Sequence, residues 1–89
     1  MATLIVQHKV RNYSDWRPAF DGHKSRQTEA GLANGRVYRG ADDPNDIVIL
    51  FDVTSSSKAR SFAGSEDLKA TMQKAGVVGA PVIHLIEGK

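Results

Sequence analysis

No cysteine occurs among the 89 residues, so neither a disulfide nor a thiolate metal ligand is open to this chain. For so short a chain that absence has consequences. A domain of this size buries a modest fraction of its surface and usually gains stability from a disulfide, a metal or a partner subunit. The imidazoles are limited to His8, His23 and His84, at spacings that match no ligand motif. No metal is therefore expected, and association with a second copy is the remaining route. A cysteine-free chain also fits a reducing compartment, so a cytoplasmic protein is expected.

Long apolar runs are missing too. The longest, Ile47 to Phe51, falls far below the roughly 20 residues of a spanning helix. Met1 to Val6 has neither a basic stretch nor a cleavage site, so no signal peptide and no membrane partner are expected. Charge of one sign is not concentrated. Twelve Lys and Arg interleave with ten Asp and Glu for a net charge of +2, which reads as ordinary solvated surface and not as a nucleic-acid footprint. Gly-rich phosphate loops and a Gly-x-Ser-x-Gly frame are absent as well, and Ser55 to Ser57 is a capping run.

What remains reads as a single domain over residues 1–89. Thr3 to Val10 alternates, with Leu4, Val6, His8 and Val10 on one face, which predicts a strand. Asn12 or Ser14 caps a helix with Asp15 and Pro18 in its first turn. That helix is predicted to run to about Ala30, with Gly31 ending it. Its inner stripe is Tyr13, Trp16, Phe20, His23 and Gln27, at spacings of three and four. Arg36 to Gly40 is a short second strand, and Asp42-Asp43-Pro44-Asn45-Asp46 a turn. Asp46 to Val53 is apolar on both faces, as expected for a central strand covered on two sides. Ser55 and its neighbours cap a helix that Gly64 interrupts and Ser65 restarts, with Leu68, Met72 and Ala75 facing inward. Val82 to Glu87 is the last strand.

The order is β-α-β-β-α-β. It predicts an α+β, ferredoxin-like fold: a four-stranded antiparallel sheet with the helices on one face. The apolar central strand says that the other face is covered as well. In a chain this short only a second molecule is left to cover it, which gives a homodimer with sheets packed face to face.

Several local patterns strengthen this picture: Tyr13-Ser14-Asp15-Trp16-Arg17-Pro18-Ala19-Phe20-Asp21 at the first helix, Asp42-Asp43-Pro44-Asn45 at the hairpin, Ser55, Ala59 and Phe62, then Leu68-Lys69, Met72 and Ala75-Gly76-Val77. With them the chain resembles the dimeric α+β barrel superfamily, in particular small proteins related to the antibiotic biosynthesis monooxygenases. The resemblance covers nearly the whole chain and implies the barrel-forming dimer. It also implies oxygenase or cyclase chemistry without a cofactor, in which the bound substrate itself activates dioxygen. Haem-degrading relatives use an Asn on the first strand and a His on the second helix. Here the first strand has Gln7 and the second helix has no histidine, which argues against haem.

The fold hosts many functions, so the site residues are argued singly. His23 sits on the inner stripe and is the first candidate for a general base, with His8 and His84 as alternates. Trp16, Phe20, Gln27, Tyr38, Phe51, Phe62 and Met72 are candidates to line a pocket for a small aromatic or polyketide-like ligand. Plain core is the competing role of the same residues, and the one that their types favour. His8 reads equally as a core histidine, and His23 as a half-exposed helix residue. Asp42, Asp43 and Asp46 read as turn chemistry. Against the enzyme stands a non-catalytic metabolite-binding or structural module. An RNA-recognition domain shares the element order but needs stacking aromatics that the first strand lacks, and an amino-acid-binding regulatory module shares only the topology.

Overall fold

Alternation in residues 2–10 and the apolar run in residues 46–53 produce the two central strands of the sheet. The computed structural model describes residues 2–88. Its strands are β1 (Ala2–Val10), β2 (Leu32–Arg39), β3 (Asp46–Val53) and β4 (Val77–Glu87), in the spatial order β2-β3-β1-β4. Every neighbouring pair is antiparallel. The helices are α1 (Tyr13–Asp21), α2 (Lys24–Glu29), α3 (Ser56–Ala63) and α4 (Glu66–Lys74).

The starts of α1, α3 and α4 each have a local cause. The Asn12 side chain accepts from the N–H of Ser14 at 2.8 Å and of Asp15 at 3.4 Å. Ser55 accepts from Lys58, and Ser65 from Leu68, so that orphan donors of the first turns are satisfied. In the β2–β3 turn, Asp43 Oδ1 accepts from the N–H of Asn45, whose own Oδ1 accepts from the N–H of Tyr13. The turn thereby fixes where α1 begins.

Register divides each strand between two faces. Leu4, Val6, His8 and Val10 of β1 lie under the helices with Ile47, Ile49, Phe51 and Val53 of β3, and all are buried. Trp16, Leu32 and Ala59 complete this core. The opposite face carries Ile5, Leu50, Tyr38, Val78, Val82, His84 and Ile86, as the cross-strand partners show. Four of these are large and exposed: Tyr38 at 51 %, Val82 at 47 %, Ile86 at 46 % and Val78 at 43 %. Large apolar side chains thus stand exposed at both edges of this face, on β2 and on β4.

The structure departs from the sequence-based expectations in three elements. The first helix does not run unbroken to Ala30. Gly22 ends α1 with its N–H on Pro18 O, and the N–H of His23 bonds Phe20 O, three residues back. That tight turn at a weak helix former closes one helix before α2 opens. Strand β2 starts at Leu32 and not at Arg36, and it carries a bulge between Ala33 and Arg36 where Asn34 has φ of 53°. Strand β4 starts at Val77 and not at Val82. It bulges through Gly79, Ala80 and Pro81, opposite His8.

Candidate functional site

The inner stripe of α1, the helix-facing side of β1 and β3, and the inner side of α4 do not close completely on one another. Between them lies an apolar chamber of about 70 Å³. Trp16, Phe20, Phe51, Phe62 and Met72 line it, with His8, His23 and Gln27 as polar members of the wall. The rings are in contact. Trp16 stacks on Phe20 with centroids 4.9 Å apart, Phe20 meets Phe51 at 6.2 Å, and the edge of His8 meets Trp16 at 5.5 Å. Arg26 of α2 pairs with Asp67 of α4, joining the two helices that contribute Gln27 and Leu68 to the wall.

His8 differs from the other two histidines. It is 4 % exposed, and its Nδ1 is sealed from solvent with no hydrogen-bond partner among the described residues. Burial pushes its pKa below the ordinary imidazole value, against weaker opposing pulls from its own backbone and from the Asp46 carboxylate. The ring is therefore neutral at neutral pH, the form that can take up a proton. Leaving a buried polar atom unpaired costs about 1–3 kcal/mol, and such atoms are rare enough to call for an explanation.

His23 borders the same chamber from the turn between α1 and α2 and is half-buried. It precedes Lys24 without giving α2 a side-chain cap. His84 lies elsewhere. It pairs with Ile5 across β1 and is exposed on the open side of the sheet. His8 and His84 thus project from opposite faces and cannot share a ligand within one chain. Tyr38, placed among the pocket residues by the sequence, is corrected in the same way. It pairs with Val48 on the open face, because the β2 bulge reverses which side each later residue of that strand presents.

Several wall residues were not singled out as pocket-lining by the sequence, among them three on α4 and β4. Thr71 of α4 adds a hydroxyl to the wall, and Leu68 and Ile83 add apolar surface. Thr71 and Leu68 stand at helical spacing beside Met72 and Ala75, so the α4 stripe contained that signal. Ile83 depended on the β4 register and had no local signal.

No sequence-family model matches this chain, and no curated protein matches it by sequence. Solved structures do resemble it. A protein of Bordetella bronchiseptica described as an antibiotic biosynthesis monooxygenase superposes with a TM-score of 0.79 at 14% identity, covering 99% of this chain and 96% of that one. Another antibiotic biosynthesis monooxygenase gives 0.71 at 15% identity, covering 100% and 99%. SnoaB of Streptomyces nogalater, a cofactor-independent oxygenase, gives 0.73 at 13% identity, covering 99% and 92%. At such identities the likeness speaks for architecture alone. This chain has the α+β, ferredoxin-like fold of the antibiotic biosynthesis monooxygenases.

Proposed function

We propose that the protein is a homodimer that binds a small aromatic or polyketide-like molecule in the chamber and oxygenates it without a cofactor, His8 acting as the base. The observation that carries this reading is the unpartnered, buried imidazole of His8 in a wall made otherwise of rings and aliphatic groups. A polar atom retained there at a cost to stability fits a ligand-facing role better than packing. The SnoaB likeness supports the type of chemistry, and the open apolar face of the sheet supports the dimer.

The chemistry follows from these groups. Neutral His8 takes a proton from an acidic C–H of the bound molecule, and the resulting anion delocalises over its rings between Trp16 and Phe20. That electron-rich anion reacts directly with dioxygen, His8 returns the proton to the resulting peroxide anion, and the hydroperoxide loses water as its remaining C–H proton leaves and the O–O bond breaks. In the net change a ring methylene and dioxygen become a ketone and water: one oxygen atom enters the product, and the other leaves as water with both methylene hydrogens. The chamber must widen for this. At about 70 Å³ it holds a few water molecules, whereas benzene is accommodated by a cavity of about 150 Å³. Met72, half-buried with three rotatable side-chain bonds, and Phe20 beside it are the groups that yield.

The small volume of the chamber also favours a second reading, a module that binds without turnover. Anthrone as probe separates the two. Oxygen uptake and anthraquinone formation are measured with the protein, with its His8→Leu variant and in buffer alone. Acceleration by the native protein that His8→Leu loses while staying folded supports the enzyme. Perturbation of the His8 ring signals by anthrone without oxygen uptake supports the binding module. Neither effect refutes both.

A further inference from the structure

The chamber does not end at Phe20 and Gln27. Both residues also border a groove of about 500 Å³ on the α1–α2 side, shared with Arg17, Asp21, Lys24 and Gly35. Gly35, in the β2 bulge, sets its floor. A Cβ there would lie 2.9 Å from Cε1 of Phe51 and 3.6 Å from Cζ of Phe20. Bare backbone at this position therefore lets the strand pass close to two chamber rings, of which Phe20 also lines the groove. Chamber and groove share Phe20 and Gln27 as a common wall.

Their walls differ in kind. The chamber is apolar, whereas the groove has two cations and one acid. Arg17 gives its Nε to Asp21 at 3.1 Å and its Nη1 to Tyr13 at 3.3 Å, and no described residue takes the third guanidinium nitrogen. Lys24 makes no ion pair among the described residues. Arg17 also lies over the Phe20 ring, 5.7 Å from its centroid. From His8 to Trp16, Phe20 and Arg17 the path runs in contacts of 5.5, 4.9 and 5.7 Å, with the imidazole at its inner end and a guanidinium at its outer end.

We infer that the ligand is an aromatic acid, its rings in the chamber and its carboxylate held across the groove by Arg17 and Lys24. This rests on the chamber being a ligand site, as proposed above, and adds the class of ligand. Guanidinium and ammonium donors to a carboxylate make short, charge-assisted hydrogen bonds that an amide does not match. Asp21 alone cannot neutralise both cations, so an incoming anion meets net positive charge at the entrance.

The test compares 2-naphthoate with its neutral isostere 2-naphthamide, by calorimetry and by the NMR signals of Trp16 and His8 at pH 7.5. The acid should bind about tenfold more tightly, and 0.5 M salt should remove most of that preference. Replacing both cations, in Arg17→Gln with Lys24→Gln, should bring the two probes to equal affinity. Lys24→Gln alone, an exposed change, should halve the preference or more and covers the event that the double variant misfolds. Equal affinities in the native protein, or a preference that survives both substitutions, would overturn the acid assignment. If Trp16 and His8 still shift, the chamber remains a ligand site. Should neither probe shift those signals, the acid assignment and the ligand site fall together.

Discussion

Acidification should unfold this protein through one imidazole. His8 is neutral and buried in the native state, with its pKa lowered mainly by desolvation. In the unfolded chain it titrates near 6.5. Below that pH the unfolded state binds one more proton than the native state, so stability falls as pH falls. It rises with pH by at most about 1.4 kcal/mol per unit and levels off above the unfolded value. The unfolded value alone sets a ceiling on the loss between pH 8 and pH 5 of about 2 kcal/mol, reached by a ring that never takes up a proton in the native state. For a domain of this size a loss at that ceiling lowers Tm by about 8–16 °C. Urea titrations followed by far-ultraviolet circular dichroism, at fixed protein concentration across this range, measure it. His8→Leu has a similar volume and should remove the dependence. At pH 8 it should equal or exceed the native stability, because the unpartnered Nδ1 is gone. Coincident pH slopes for the two proteins would show that the native imidazole has a partner or water, and the case for His8 would collapse. Asp52 does not confuse the result. Hydrogen bonds from Asn34 and Arg36 hold its carboxyl below the usual range, so its contribution fades only at more acid pH.

Two further outcomes are expected. Trp16→Ala removes the ring between His8 and Phe20 and should cost about 3–5 kcal/mol in chemical denaturation; a loss under about 1 kcal/mol would mean that the ring stack does not hold α1 to the sheet. Light scattering at micromolar concentration should give a dimer burying more than about 1,200 Å² in total, and Ile86→Asp, on the open face, should give a folded monomer. A native monomer at that concentration would refute the face-to-face pairing.

Local chemistry made much of the fold legible, and long-range register hid the rest. The alternation of β1, the apolar run of β3, the caps at Asn12, Ser55 and Ser65, and the turn at Asp43 each depend on residues within a few positions of one another. The stripe Trp16, Phe20, His23 and Gln27 came through even though the helix breaks at Gly22, since the tight turn keeps all four along one wall. Tyr38 did not, because its face is decided by a bulge at Asn34 and Gly35, residues that in sequence signal a turn. The separation of His8 from His84 was likewise hidden. Both carry even numbers, but the antiparallel register sets Ile5 against His84 and Leu4 against Leu85, and nothing within either strand reveals that offset.

The two-faced register of β1 gives the strand a double bookkeeping that a mutational scan would display. Even-numbered positions from Leu4 to Val10 belong to the interior of one chain, and odd-numbered Thr3, Ile5, Gln7 and Lys9 to the open side. Damage at the even set should be the same whether the protein is dilute or concentrated. Damage at Ile5, in the proposed dimer, should be masked as concentration rises, since mass action restores a weakened association but not a broken core. Scored at two expression levels, the scan would show a two-residue rhythm in its dose dependence. In the proposed dimer, selection on such a strand would be correspondingly split: one set of positions tuned to folding, and the next set to how abundant the protein is in its cell.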